Sequence, residues 1–450
     1  MTVRTLLLGF AATVILYLLF WLLLKNPLRT GIYVTVLLFA MFLYGVFYEY
    51  LEALYYAGKW PFRNIHRYLL LFYALVLAGS FVFLYRSKRG FTRLNTFLNI
   101  LLILLLIFNL IRIVNYDGKK YNNSAGAVSP ASSVVFAGNA ERPDIYYIVL
   151  DGYASGRVLN RYYNFNNRAF RKTLMDAGFL FADSAFANHY FTSHSLCSTL
   201  NMTLNTAHEK VNGRLADNKV MRTLKDNGYN IYHLNSGYAV TSFFHAADSC
   251  LQIDGPNEFE KSMLRYTMLR LDDLVGFFAR QRLQSQFDKM YQLTQITASP
   301  KFSFIHIVAP HPPYVFNSSG GRPARQRFTE HSWEPADSYI SQLEYVNKRM
   351  AALLLSIRQR DPQAIIVLQS DHGPWISSAA ANDIFTARAG ILYAWYTPEK
   401  MEVPRGTSAV NTFPYLFNSQ FGTSLPLLPD SAAGREQLLQ DPILTKKMRH

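Results

Sequence analysis

The hydrophobic pattern divides this chain in two. Four long apolar stretches come first, approximately Leu6–Leu24, Ile32–Tyr48, Tyr68–Leu84 and Phe97–Val114. Each is close to the roughly 20 residues that a bilayer-spanning helix requires. Four such runs in succession argue against buried core helices. The first does not read as a cleavable leader, because it is long, lacks a small-residue cleavage site and is followed by further spans. The loop after the third span carries Arg86, Lys88, Arg89 and Arg93, the densest short basic loop, and this places it in the cytoplasm. The fourth span then leads outward, so everything after about Asn115 is expected outside the cytosol. The same count puts Met1 outside, together with a loop holding Lys59, Arg63 and Arg67 that runs against the rule. A span count off by one would move the N-terminus and leave the rest in place.

Beyond the spans the pattern changes. Residues 118–142 are rich in Ser, Asn, Ala and Gly and read as a linker. Strands are then expected at Asp144–Leu150, Tyr229–Leu234, Phe302–Val308, Ile365–Gln369 and Gly390–Tyr396. Asn257–Leu293 and Pro335–Arg360 read as long helices. In the second, Tyr339, Leu343, Val346, Met350, Leu353 and Ile357 recur at helical spacing and form a core-packing stripe. Short apolar strands alternating with helices predict an α/β domain with a largely parallel central sheet and helices on both faces. The expected organisation is a transmembrane α-helical domain at 1–117, a linker at 118–142 and an extracytoplasmic α/β domain at 143–450.

Composition narrows the function classes. The chain has 450 residues, 50% hydrophobic and 15% aromatic, which suits a membrane part plus a globular part. The formal charge of +15 fits membrane flanking and attraction to anionic headgroups. No basic cluster with interleaved aromatics, zinc-finger spacing or phosphate loop is visible, so no nucleic-acid partner is expected. Cys197 and Cys250 are too few for a disulfide scaffold, although a single bridge between them is open to an extracytoplasmic domain.

Three short segments hold the candidate chemistry: Asp151-Gly152-Tyr153, Thr192-Ser193-His194-Ser195 and Asp371-His372-Gly373. The first and third each follow a predicted strand, and open α/β sheets gather ligands at the carboxyl ends of their strands. Carboxylate oxygen and imidazole nitrogen suit Zn²⁺ or Mn²⁺. Thr192 stands where a helix could begin, a position that serves equally as an ordinary N-cap or as an anion site. Metal coordination is one way to activate such a hydroxyl.

The order Asp-Gly, Thr-Ser-x-Ser, His-Pro-Pro, Asp-His-Gly resembles the alkaline phosphatase/sulfatase superfamily. More narrowly, it is similar to membrane-anchored lipoteichoic acid synthases and lipid A phosphoethanolamine transferases, with motifs spread over roughly residues 143–420. The resemblance implies that Thr192 is the residue covalently modified, and that Asp151, Asp371 and His372 hold one divalent metal together with it. It implies that His311, in Ala309-Pro310-His311-Pro312-Pro313-Tyr314, contacts the substrate phosphate. His189, His194, His233 and Asn235 lie near these motifs in sequence and are held as further contacts. The chain departs from the pattern in two places. Asp151 stands where the lipid-polymer enzymes commonly have Glu, and Leu196-Cys197-Ser198 stands where the phosphoethanolamine transferases have a proline. Neither Cys197 nor Ser195 has the following residues that a formylglycine sulfatase needs. No Asp-x-x-x-His lies between Thr192 and Asp371, which favours a single metal over two.

The expected function is a transferase that moves a phosphoethanolamine- or phosphoglycerol-type headgroup from a membrane phospholipid to an envelope glycan or lipid through phospho-Thr192. The resemblance implies a multi-pass protein of the bacterial inner membrane with its catalytic domain on the periplasmic side. The alternatives are a membrane-tethered phosphodiesterase, phosphatase or sulfatase-like hydrolase, and an inactive sulfatase-like sensor or assembly partner.

Overall fold

The computed structural model describes residues 2–56, 61, 64–125, 134–138, 140–206, 209–256, 260, 262–263, 266–268, 272–323, 333, 335–376, 381–398 and 407–429. Lys59, Arg63 and part of the expected linker lie outside these residues. The chain divides into two units, residues 1–129 with 256–275, and residues 130–255 with 276–450.

The first unit contains α1 (Thr2–Leu24), α2 (Pro27–Tyr56), α3 (Ile65–Arg86) and α4 (Thr92–Ala125). Thr5–Leu24, Pro27–Glu52, Ile65–Arg86 and Thr92–Arg112 are each long and apolar enough to cross a membrane. Large side chains such as Leu6, Phe10, Leu104 and Phe108 point outward. Such faces are costly in water and at home in hydrocarbon. Residues that leave the second unit at 256–275 fold with these helices: the Gly45 N–H donates to the Tyr266 carbonyl at 3.0 Å, and the Thr5 hydroxyl donates to Glu260 at 3.1 Å.

The second unit is built on a seven-stranded sheet. Its strands are β1 (Ile145–Leu150), β2 (Leu180–Phe181), β3 (Asn230–Leu234), β4 (Ser249–Leu251), β5 (Lys301–Ile307), β6 (Ile365–Ser370) and β7 (Tyr393–Tyr396). Their order across the sheet is β2-β7-β6-β1-β5-β3-β4. β6, β1, β5, β3 and β4 run parallel, and β7 and β2 pair antiparallel at one edge. The strands were legible because β1, β5 and β6 are buried along their whole length. Alternate residues serve opposite faces, as the strand period of two demands. Tyr146, Ile148 and Leu150 enter one core, while Ile145, Tyr147 and Val149 enter the other.

Helices cover both faces. The first core takes in α5 (Gly156–Tyr163), α6 (Arg168–Asp176), α10 (Asp272–Thr294) and α11 (Ala336–Arg360). All six members of the predicted α11 stripe are buried there. The second takes in α7 (Thr192–Asn201), α8 (Asn212–Ala216), α9 (Lys219–Asp226) and α13 (Thr412–Phe421), while α12 (Ala381–Ala389) packs beside Tyr190. The helix expected from Asn257 is continuous from Asp272, and much of 257–271 lies outside the described residues. Cys197 and Cys250 are both free thiols, so the optional bridge is not formed.

Candidate metal centre and active site

Strand register brings the two acidic motifs together. Leu150, the last residue of β1, is level with Ser370, the last of β6, and with Ile307 of β5. Asp151 and Asp371 therefore leave adjacent parallel strands at the same height. His306 lies one residue further back, level with Val149. The turns that follow are tight. Gly152 has φ +72°, and a Cβ there would lie 2.4 Å from the Trp333 ring. A Cβ on Gly373 would lie 1.9 Å from the carbonyl oxygen of Ala387. Both motif glycines are thus required by close approach, the second by backbone that cannot yield.

Asp151, His306 and Asp371 form a cluster able to hold a metal ion, with one ligand atom from each lying within 4.8 Å of the others. His372 joins it. Its Nε2 is 3.7 Å from Asp151 Oδ1, 3.4 Å from Asp371 Oδ2 and 3.3 Å from the Thr192 hydroxyl. The His372 Nδ1 lies 3.0 Å from the Gly373 carbonyl, which can only accept, so Nδ1 carries the proton and Nε2 offers a lone pair. Arg388 donates to the same carbonyl at 2.8 Å. His306 Nδ1 is held 2.8 Å from the Thr241 hydroxyl.

The donor set fits a divalent cation. Asp151 Oδ1, Asp371 Oδ2 and His306 Nε2 are buried and have no hydrogen-bond partner among the described residues. Orphaned buried polar atoms are costly, and a bound ion satisfies all three at once. The electrostatics agree. Burial and the Asp151 carboxylate push Asp371 up to about 7. Burial also opposes ionisation of Asp151, but His311 and then His306 outweigh it and hold that carboxyl below the ordinary range. Burial, then Arg388, push His372 well below its usual value, so its imidazole is neutral and available as a ligand.

Thr192 is the first residue of α7, at the positive end of the helix dipole, and is 7% exposed. His311 closes another side. Its backbone N–H donates to the Asp151 carbonyl at 3.1 Å, and its ring centroid is 6.5 Å from that of His372. Trp333 packs edge-on to the His311 ring at 4.9 Å.

The structure thus gathers Asp151, Thr192, Asp371, His372 and His311. His189 and His194 form a pair of their own, with ring centroids 5.9 Å apart. The His189 Nε2 accepts from the Asn205 N–H at 3.3 Å, and burial, then His194, lower its pKa to about 4. Asn235 braces the loop after β3, bonding Gln252 and the Gly237 N–H, each at 2.8 Å. His233 faces the Thr241 carbonyl and Cys250. His306 was not among the residues read from sequence. Its signal was a histidine near the carboxyl end of a predicted strand, five residues before His311.

The sulfatase family model matches residues 143–404, more than half of the chain. The chain belongs to the sulfatase family. That domain is extracytoplasmic and follows four membrane-length helices in the chain. No curated protein matches the sequence. Among solved structures, the C-terminal periplasmic domain of EcEptC from Escherichia coli, in complex with Zn, has 15% identity and a TM-score of 0.49, covering 68% of this chain and 90% of that one. The lipooligosaccharide phosphoethanolamine transferase A of Neisseria meningitidis has 13% identity and a TM-score of 0.45, covering 86% and 75%. The phosphonate monoester hydrolase of Agrobacterium radiobacter has 11% identity and a TM-score of 0.42, covering 63% and 74%.

Proposed function

We propose that this sulfatase-family protein is a metal-dependent transferase. It moves a phospho-headgroup, of phosphoethanolamine or phosphoglycerol type, from a membrane lipid to an envelope glycan or lipid. The observation that carries the reading is the 3.3 Å approach of the Thr192 hydroxyl to His372 Nε2, beside two buried carboxylates with orphaned oxygens. A hydroxyl at the edge of a metal-ligand cluster is placed to act as a nucleophile.

In this reading Asp151, His306, Asp371 and His372 hold one divalent ion, Zn²⁺ or Mn²⁺, with Thr192 as a further ligand. When bound, the ion lowers the pKa of the Thr192 hydroxyl and offsets charge on the phosphate. Thr192 Oγ1 gives up its proton and bonds to the donor phosphorus while the phosphorus–oxygen bond to diacylglycerol breaks, and the proton Thr192 gave up ends on that oxygen. His311 has its Nδ1 committed to the Pro312 carbonyl at 2.7 Å, which leaves Nε2 to hold or give that proton. The N-terminus of α7 favours the negative phosphoryl oxygens. An acceptor hydroxyl then bonds to phosphorus, the Thr192 oxygen departs, and the acceptor's proton returns to it. The membrane helices keep the chain at the bilayer, where a lipid donor resides.

The test uses the full chain in vesicles containing headgroup-labelled phosphatidylethanolamine or phosphatidylglycerol, with envelope glycan and lipid supplied. Label on the acceptor supports transfer. Label released only into water makes the protein a hydrolase with the same residues. No turnover by metal-loaded protein overturns the enzyme reading and leaves a sensor or assembly role.

A further inference from the structure

The residues of the site come from three segments that are remote in sequence: the turn after β1, the turn after β6 and the start of α7. Two buried serines join them. Ser370 Oγ accepts the N–H of Tyr153 at 2.9 Å and donates to the carbonyl of His372 at 2.7 Å. It therefore ties the Asp151 turn to the Asp371-His372 turn. Ser195 Oγ, one helical turn past Thr192, donates to the carbonyl of Asp371 at 2.6 Å. It ties the nucleophile's helix to the same turn. Both serines are buried, at 0% and 1% exposure.

A hydroxyl is suited to this task because it donates and accepts at once. Alanine at 370 would take away the partner of one N–H and one carbonyl, in a fully buried place. The bonds also end on the ligand residues themselves. Two of the three acceptor or donor groups are the carbonyls of Asp371 and His372, and the third is the N–H two residues past Asp151. Metal sites tolerate only a few tenths of an ångström in ligand position. Loss of a strut that sets the spacing of these turns is therefore felt first at the metal.

We infer that Ser195 and Ser370 are positioning residues that set metal affinity and the placement of Thr192, an inference that rests on the metal-site reading above. A contribution to general packing would have a different signature. Thr199, on the same helix and equally buried, gives its hydroxyl bond to the Ser195 carbonyl at 3.0 Å and serves as the comparison.

The experiment measures the Zn²⁺ dissociation constant of the full chain in detergent by competition with a chelating dye, well below the melting temperature. The proteins are wild type, Ser195→Ala, Ser370→Ala, the double variant and Thr199→Ala. Each serine variant is expected to bind Zn²⁺ about 10–100-fold more weakly. The double variant should lose less than the product of the two, because both struts act on one turn. Thr199→Ala should melt lower with its affinity unchanged. Serine variants that bind as wild type does, or lose no more affinity than Thr199→Ala, overturn the assignment alone. Wild type that binds no Zn²⁺ overturns the metal reading and this inference with it.

Discussion

His372 Nε2 stands 3.3 Å from Thr192 Oγ1, across 180 residues of sequence. That approach joins the buried Thr192 hydroxyl at the head of α7 to the carboxylates at the ends of β1 and β6. It depends on the β1–β6 register and on a helix that begins at Thr192.

Metal binding should depend on pH in a definite direction. In the metal-free protein Asp371 titrates near 7, raised by burial and by Asp151. An unfolded aspartate titrates near 4. Between these values the folded chain holds a proton that the unfolded chain has lost. Metal-free stability therefore falls as pH rises from about 4 to about 7, and is level above that. A bound cation must displace the same proton. The rise in melting temperature on adding Zn²⁺ should be larger at pH 8 than at pH 5.5. An equal or larger rise at pH 5.5 would contradict the assignment.

Asp371→Asn should separate stability from function. Asparagine keeps an oxygen for the N–H groups of Gly152 and His372, now bonded at 3.1 and 2.9 Å, and removes a carboxylate facing Asp151. In chelator at pH 8 the variant should melt above wild type by several degrees. With saturating Zn²⁺ the order should reverse, and activity should be lost. Thermal melts in both conditions check this, and a variant that melts below wild type in chelator would count against the repulsion.

Gly373→Ala should fail to fold. The added methyl would meet the Ala387 and Gly390 carbonyl oxygens at 1.9 and 2.9 Å, and both belong to the backbone. Gly213→Ala, in α8 with open space around it, should be neutral or slightly stabilising. The yield of monodisperse protein in detergent reports the difference.

Away from the site, Lys301 and Asp144 form a buried ion pair at the amino ends of β5 and β1. Asp144 also accepts from the Ser299 hydroxyl at 2.9 Å and the Lys301 N–H at 3.0 Å. Lys301→Met leaves a buried carboxylate without its cation, which costs about 3–5 kcal/mol. The variant should melt well below wild type. Protein that remains folded should bind metal with wild-type stoichiometry.

Much of the fold was legible in the sequence for a physical reason. β1 and β6 are buried on both faces, so β1 is written as a continuous apolar run and β6 as one through Leu368, while α11 is written as a stripe at helical spacing. Two-residue β2 and three-residue β4 are too short to carry a pattern, and pairing to β7 and β3 creates them. Asp151, Asp371 and His372 were findable because each follows a strand end. His306 lies inside β5, where only the register with Val149 brings it level with the site. Asn235 and His189 are close to the motifs along the chain. Loop hydrogen bonds to Gln252 and to Asn205 decide where those two side chains go, and nothing local in the sequence records such partners.

Covalent transfer through Thr192 leaves the headgroup on the protein between its two steps. Intact mass spectrometry of the metal-loaded protein after incubation with donor lipid, with Thr192→Ala beside it, detects that state. A mass increment equal to one phospho-headgroup, mapped to Thr192 and absent from the variant, is expected. Headgroup turnover that continues in Thr192→Ala, or an adduct on another residue, would contradict it.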